Sequence, residues 1–187
     1  MPTLNHLRSA MLATIALAVA ALAADAPTQT IEARGLTFKA PKAWKSSRPS
    51  SSMRAAQLMI DPVQGDSESA ELVVFVFPGS AGTVEANIER WRGQFQDKDG
   101  KTPKAVTEKR KGKNVDVTYV EIAGRYVAAV QPGSSEKYNK PDFRLLGAIV
   151  ETSQAAYFLK MVGPEKTMKA AKPAFDELIV STTVEGL

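Results

Sequence analysis

Apolar and polar side chains alternate along several stretches of the chain, and two further stretches carry apolar residues at helical spacing. Leu36–Ala40 (LTFKA) alternates and stops at Pro41, the signature of a half-buried first strand. Met53–Ile60 predicts a second strand. Glu71–Phe77 (ELVVFVF) is apolar at consecutive positions, so both faces of this strand are expected to be covered and the strand to be central. Ala105–Arg110 and Val115–Ile122 predict two strands joined at Lys111–Asn114, where Gly112 is expected to supply a positive φ. The pattern continues through Gly124–Ala129, with Gly124 expected at a bulge or a close approach of two backbones. Arg144–Glu151 and Tyr157–Val162 predict a last hairpin around Thr152–Gln154.

Helical spacing appears first after the break at Gly79–Thr83. Thr83 is suited to cap a helix, Glu85 falls in its first turn, and Val84, Ile88, Trp91 and Phe95 follow at i, i+4, i+7 and i+11. The stretch Asn87–Phe95 (NIERWRGQF) sets Trp91 between two arginines. It admits two readings, an aromatic and arginine platform for a ligand or the buried side of an ordinary helix. The stripe favours the second, with Arg90 and Arg92 off the apolar stripe and Asn87 and Gln94 flanking it as candidates for a specific hydrogen bond, inside the core or at its rim. A second helix is expected from Glu165, with Met168, Ala171, Phe175, Leu178 and Ile179 inward and Lys166, Lys169 and Lys172 outward. Pro173 is expected to break or kink it, because proline lacks the N–H an interior turn uses. Trp44, Trp91, Phe95 and Phe175 are the expected core anchors. Strands joined by short hairpins, with two helices between and after them, predict one α+β domain with a mainly antiparallel sheet flanked by helices.

The start of the 187-residue chain changes this picture. A polar segment with Arg8 precedes an apolar run from Ala10 to Ala24, and small residues stand at Ala21 and Ala23. That order predicts a signal peptide at 1–23, cleaved after Ala23. A flexible lead-in at 24–34 and a single domain at 35–184 are expected to follow. The expected location is exported, periplasmic or secreted. Loss of Arg8 leaves 23 basic residues against 20 acidic ones, a mild excess that demands no nucleic-acid partner.

Composition then limits the chemistry. The chain has no cysteine, and its one histidine is His6, inside the predicted leader. Residues 24–187 therefore offer no Ser-His-Asp or Cys-His catalysis and no thiolate or imidazole ligand for zinc. No cofactor is expected. Carboxylates remain: Asp61, Asp66, Glu68 and Glu71 cluster in sequence, without the spacing of a calcium loop. A solvated turn is the simpler expectation for them. Ser50–Ser52 near Lys45 lacks a Ser-x-x-Lys pattern, and Gly79–Gly82 (GSAG) matches no phosphate-binding signature. Lys109, Arg110, Lys111 and Lys113 suggest weak contact with an anionic surface, or simply a hairpin tip kept soluble by lysine. Arg125, Tyr126, Tyr138 and Lys140, on or beside the longest loop, form the candidate contact surface.

The order of elements resembles a known family. Leu36–Trp44 (LTFKAPKAW) is similar to the opening strand, proline and tryptophan of PsbP-like proteins. Gly124–Ala129 (GRYVAA), Phe143–Pro164 (FRLLGAIVETSQAAYFLKMVGP) and Phe175–Val184 (FDELIVSTTV) resemble that family's closing meander and helix. The resemblance implies an α/β sandwich. In the best-known members it also implies an extrinsic accessory subunit of a membrane complex. This chain departs from it in lacking the histidines some relatives use for metal, and in carrying Thr182 where a closing aromatic is expected near Ser181. The expected function is an exported, non-enzymatic binding or accessory module for an unknown protein or envelope component. The alternatives are a carboxylate-based hydrolase and a carrier with an apolar pocket between helix and sheet. Two convergent carboxylates in a cleft would mark the first, a dry apolar cavity the second, and a flat surface the module.

Overall fold

The structure, a computed structural model, describes residues 26–186, so the predicted leader and its cleavage after Ala23 lie outside the described residues. Among them the chain runs β1 (Thr28–Ala33), β2 (Leu36–Pro41), β3 (Lys45–Ser46), β4 (Arg54–Ile60), β5 (Ala70–Pro78) and α1 (Val84–Arg92). It continues through β6 (Phe95–Gln96), β7 (Val106–Lys111), β8 (Asp116–Tyr126), β9 (Lys140–Glu151), β10 (Ala155–Pro164), α2 (Glu165–Ser181) and β11 (Thr183–Val184).

The main sheet has eight strands in the order β3-β4-β5-β10-β9-β8-β6, with β7 also paired to β8. Each pairing is antiparallel, and β5 lies inside the sheet between β4 and β10. Strand alternation sends Leu72, Val74, Leu146, Ala148, Leu159 and Met161 to one face, where they meet α2 and the small sheet β1-β2-β11. The intervening residues, among them Val120, Ile122, Leu145, Ile149 and Phe158, face α1 on the other side. The result is a layered α+β sandwich with a helix on each face of the central sheet.

The cap of the first helix and the buried stripe of the second follow their sequence signals, whereas Lys172, expected outward, turns in to Tyr119. Thr83 Oγ1 accepts from Ala86 N at 3.1 Å and caps α1. Met168, Ala171, Phe175, Leu178 and Ile179 are all buried against the sheet. The acidic loop supplies the missing cap of α2: Thr167 N and Oγ1 both donate to Asp66 Oδ2 at 2.7 Å, placing a carboxylate at the helix start.

Several expectations are corrected. Residues 28–33, expected in the flexible lead-in, form β1 and pair along the whole of β2. Arg34 and Gly35, at φ 52° and 92°, make the two-residue turn that right-twisted hairpins favour. Helix α2 runs unbroken through Pro173, an exposed position where water can satisfy the carbonyl that proline leaves without a donor. Gly112 has no positive φ. A Cβ there would sit 2.6 Å from the carbonyl of Thr182, so close approach, and not turn geometry, requires glycine. The β7–β8 tip is in fact a clasp on the C-terminal strand. Lys113 N donates to Thr182 O at 2.7 Å, and the Asn114 amide both donates to Val184 O and accepts from Val184 N.

The α2 face also closes around charge. Arg144 binds both Glu165 oxygens, at 2.9 and 2.6 Å, and pairs with Glu121. Lys172 Nζ donates to Tyr119 Oη at 2.6 Å, and Tyr119 donates to Glu121 Oε2 at 2.5 Å. Arg110 lies 3.6 Å from the Tyr119 ring centre and binds Asp176 at 2.6 Å. Hydrogen bonds to Arg144, ahead of other causes, lower the Glu165 pKa, and burial pushes the Tyr119 phenol up to about 12.

Candidate functional site

The four residues of the candidate contact surface come together at one corner of the main sheet. A bulge in β8 between Gly124 and Tyr126 makes this possible. Gly124 sits at φ 154°, and a Cβ on it would approach the Gln96 carbonyl to 2.4 Å, so glycine lets β6 pair beside the bulge. Tyr126 is then held in an aromatic stack, 5.6 Å from Tyr138 and 6.1 Å from Phe143, with Phe95 tilted against it at 5.2 Å. Lys140 Nζ lies 4.9 Å from the Tyr138 ring and pairs with Glu68. Arg125 is exposed and donates to Asn139 Oδ1 at 2.7 Å. Burial raises the Tyr126 phenol to about 12.

The basic segment does not behave as one patch. Arg110 is turned inward beneath α2, Lys109 donates to Thr118 Oγ1 at 2.8 Å, and Lys111 pairs with Asp116. The acidic cluster disperses as well. Asp61 binds Lys45 at 2.5 Å, Glu68 binds Lys140, Glu71 binds Arg54 at 3.0 Å, and Asp66 caps α2. Each carboxylate has its own partner, and no two converge on a common point.

A second site lies where the carrier alternative expected a pocket, between helix and sheet, though sequence reasoning named neither Lys160 nor its phenylalanines. Between α1 and the sheet lies a cleft of about 200 Å³. Its walls are Phe75, Phe77, Phe158 and the edge of Trp91; Phe158 meets Phe77 and Trp91 edge to face at 5.6 and 6.2 Å. Asn87 and Arg90 from the same helix, Gln94 just beyond its end, Lys160 from β10 and the exposed Met53 complete it. Lys160 Nζ donates to Gln94 Oε1 at 2.5 Å, and Arg90 Nη2 donates to Asn87 Oδ1 at 2.6 Å. Burial pulls the Lys160 ammonium down to about 8. Trp91 itself is buried and rests on Gly147, where a Cβ would come within 2.3 Å of its ring. The stretch Asn87–Phe95 thus follows the buried-helix reading, with Trp91 a core residue that also borders a cleft. The signal for this site was one charge, Lys160, inside the otherwise apolar run Ala155–Pro164.

The layered sheet with one helix on each face and a small terminal sheet defines a PsbP-like α+β fold. The solution structure of cyanobacterial PsbP (CyanoP) from Synechocystis sp. PCC 6803 shares it. It matches 85% of this chain and 93% of its own length, with a TM-score of 0.54 and 15% sequence identity. No family model matches the sequence, and no curated protein matches it.

Proposed function

We propose that the protein is a non-enzymatic binding or accessory module of the cell envelope, which meets a protein or envelope component through the corner built by Arg125, Tyr126, Tyr138 and Lys140. The observation that carries this reading is the aromatic stack at that corner. Tyr126, packed between Phe143, Phe95 and Tyr138, fixes the half-buried Tyr138 at the surface, with Arg125 and Lys140 at the edge. Rigid tyrosines flanked by cations bind partners at small entropic cost, which is why such residues dominate interface hot spots. The dispersal of Asp61, Asp66, Glu68 and Glu71 into separate structural pairs supports a module over a carboxylate-based hydrolase. The leader-like sequence at 1–23 supports export.

The test is affinity capture from the native envelope with the wild-type chain and with an Arg125→Ser, Tyr138→Ser variant of unchanged melting temperature. A component retained by the wild type and lost from the variant is expected. Identical capture by both proteins would remove this corner as the contact surface. Intact-mass measurement of the protein from its host tests export separately, through the mass of a chain starting at Ala24.

A further inference from the structure

The cleft under α1 has two features that ordinary core packing does not explain. The first is its unanswered charge. Lys160 and Arg90 each donate to a neutral amide, and neither forms an ion pair among the described residues. Glu71, the carboxylate on the same face of β5, is engaged by Arg54 at 3.0 Å. On the opposite face of the sheet, by contrast, Arg144, Lys172 and Arg110 all meet carboxylates. Lys160, half-buried without a paired carboxylate, carries a desolvation cost that an anionic ligand would offset, and the exposed Arg90 adds a second cation beside it.

The second feature is the shape of the space. Phe75, Phe77, Phe158 and the Trp91 edge give it apolar walls on three elements, β5, β10 and α1. Its volume of about 200 Å³ is below the roughly 300–1,000 Å³ of pockets for drug-sized ligands. That leaves room for a single ring with a short arm. Its lining of edges and faces suits a flat body, because aromatic pairs favour offset and T-shaped contact. A bare phosphate or acetate would satisfy the cations and leave the walls wetted. A neutral hydrocarbon would fill the walls and leave the cations without a counter-charge.

We propose that the cleft binds a small aromatic carboxylate, with its ring between Phe75, Phe77, Phe158 and Trp91 and its carboxylate toward Lys160 and Arg90. Gln94 fixes the lysine and Asn87 the guanidinium, so both cations are held in place before the ligand arrives. This site stands independently of the docking corner, and either can fail without the other.

The test is calorimetric titration of the full chain with phenylacetate, matched against benzyl alcohol, benzylamine, acetate and inorganic phosphate. Two-dimensional NMR reports the location through the indole N–H of Trp91, with Trp44 in the opposite core as an internal reference. Saturable binding of phenylacetate that shifts Trp91 and spares Trp44 is expected, with the four comparison compounds at least about tenfold weaker, the factor of one modest ion pair. Lys160→Met should weaken phenylacetate at least about tenfold and Arg90→Gln severalfold, with both variants folded by circular dichroism. Benzyl alcohol binding as tightly as phenylacetate would overturn the proposal in favour of a carrier for neutral apolar ligands. Acetate or phosphate binding equally well would reduce the cleft to a simple anion site. No saturable response to phenylacetate, or unchanged binding by the Lys160→Met protein, would also overturn it.

Discussion

The two faces of the central sheet are made by alternate residues of the same strands, yet they are closed in opposite ways. On one face the 17-residue helix α2 lies over a continuous core, and each buried cation meets a carboxylate. On the other, the nine-residue α1 covers less of the sheet, and beside a cleft Lys160 meets an amide and the Tyr126 ring, and Arg90 an amide, with no carboxylate paired to either. Charge that is matched internally holds a fold together in one arrangement; charge left unmatched is available to something from outside. The first face is closed by its own ion pairs; the second keeps Lys160 and Arg90 without a carboxylate.

Truncating one anchor on each face gives the largest test of this contrast. Phe175→Ala should cost about 3–5 kcal/mol in denaturant unfolding, because the ring is fully enclosed beneath α2. Trp91→Ala should fall near about 3 kcal/mol despite the larger side chain, since part of its edge already borders the cleft. A Trp91 loss exceeding that of Phe175 would break the comparison. Next, Arg144→Met should cost roughly 2–4 kcal/mol, short of a fully uncompensated buried pair because Lys172 and Lys169 still face Glu121 and Glu165.

Lys160 gives the opposite sign. Its pKa is about 8 in the folded protein and about 10.4 in an unfolded chain, so the unfolded state binds more protons between those values. Stability should therefore rise from pH 8 to about pH 10, by no more than about 2–3 kcal/mol. Above about pH 10 it should fall, because Tyr119 and Tyr126 ionise near 12 when folded and near 10 when unfolded. Lys160→Met should be about 1–3 kcal/mol more stable at pH 7, and should lose the rise while keeping the fall. Glu71, Arg54, Arg90 and Tyr126 are the other charged or titratable groups on this face, and they persist in that variant. A flat profile for the wild type between pH 8 and 10 would mean that the ammonium is well solvated.

Smaller effects locate the boundary between packing and contact. Gly147→Ala drives a methyl into the Trp91 ring and should cost about 1–3 kcal/mol, since the indole has to move. Arg90→Ala should stay within about 0.5 kcal/mol of wild type, because the guanidinium is exposed and binds one amide.

Much of the fold was legible because its strands and helices carry clear periods. The buried stripe of α2 and the paired apolar strands β9 and β10 follow directly from spacing. What escaped depends on partners distant in sequence. Residues 28–33 contribute only Ile31 and Ala33 as apolar positions, so β1 is defined by its pairing with β2 rather than by its own composition. Phe95 extends the apolar stripe of α1 in sequence, but the helix stops at Gly93 and Phe95 enters β6. Gly147 reads as an ordinary strand glycine until Trp91 is seen resting on it. At the candidate sites, the tyrosines and cations of the corner were visible as a loop cluster. Lys160 was visible as an oddity, and its environment comes from a helix some seventy residues earlier, which no local pattern encodes.

The three-stranded sheet carries a consequence for how the chain is made. Val184 pairs with Leu36, and Asn114 of the β7–β8 tip fastens to the same last strand. A contact between nearly the first and nearly the last described residues requires the costliest loop closure in the molecule. It cannot form before Thr183 and Val184 are free to pair with β2. Sealing of the α2 face thus waits on two residues that lie about 147 positions beyond their strand partners, so the small sheet is the part of the fold that local folding alone cannot complete.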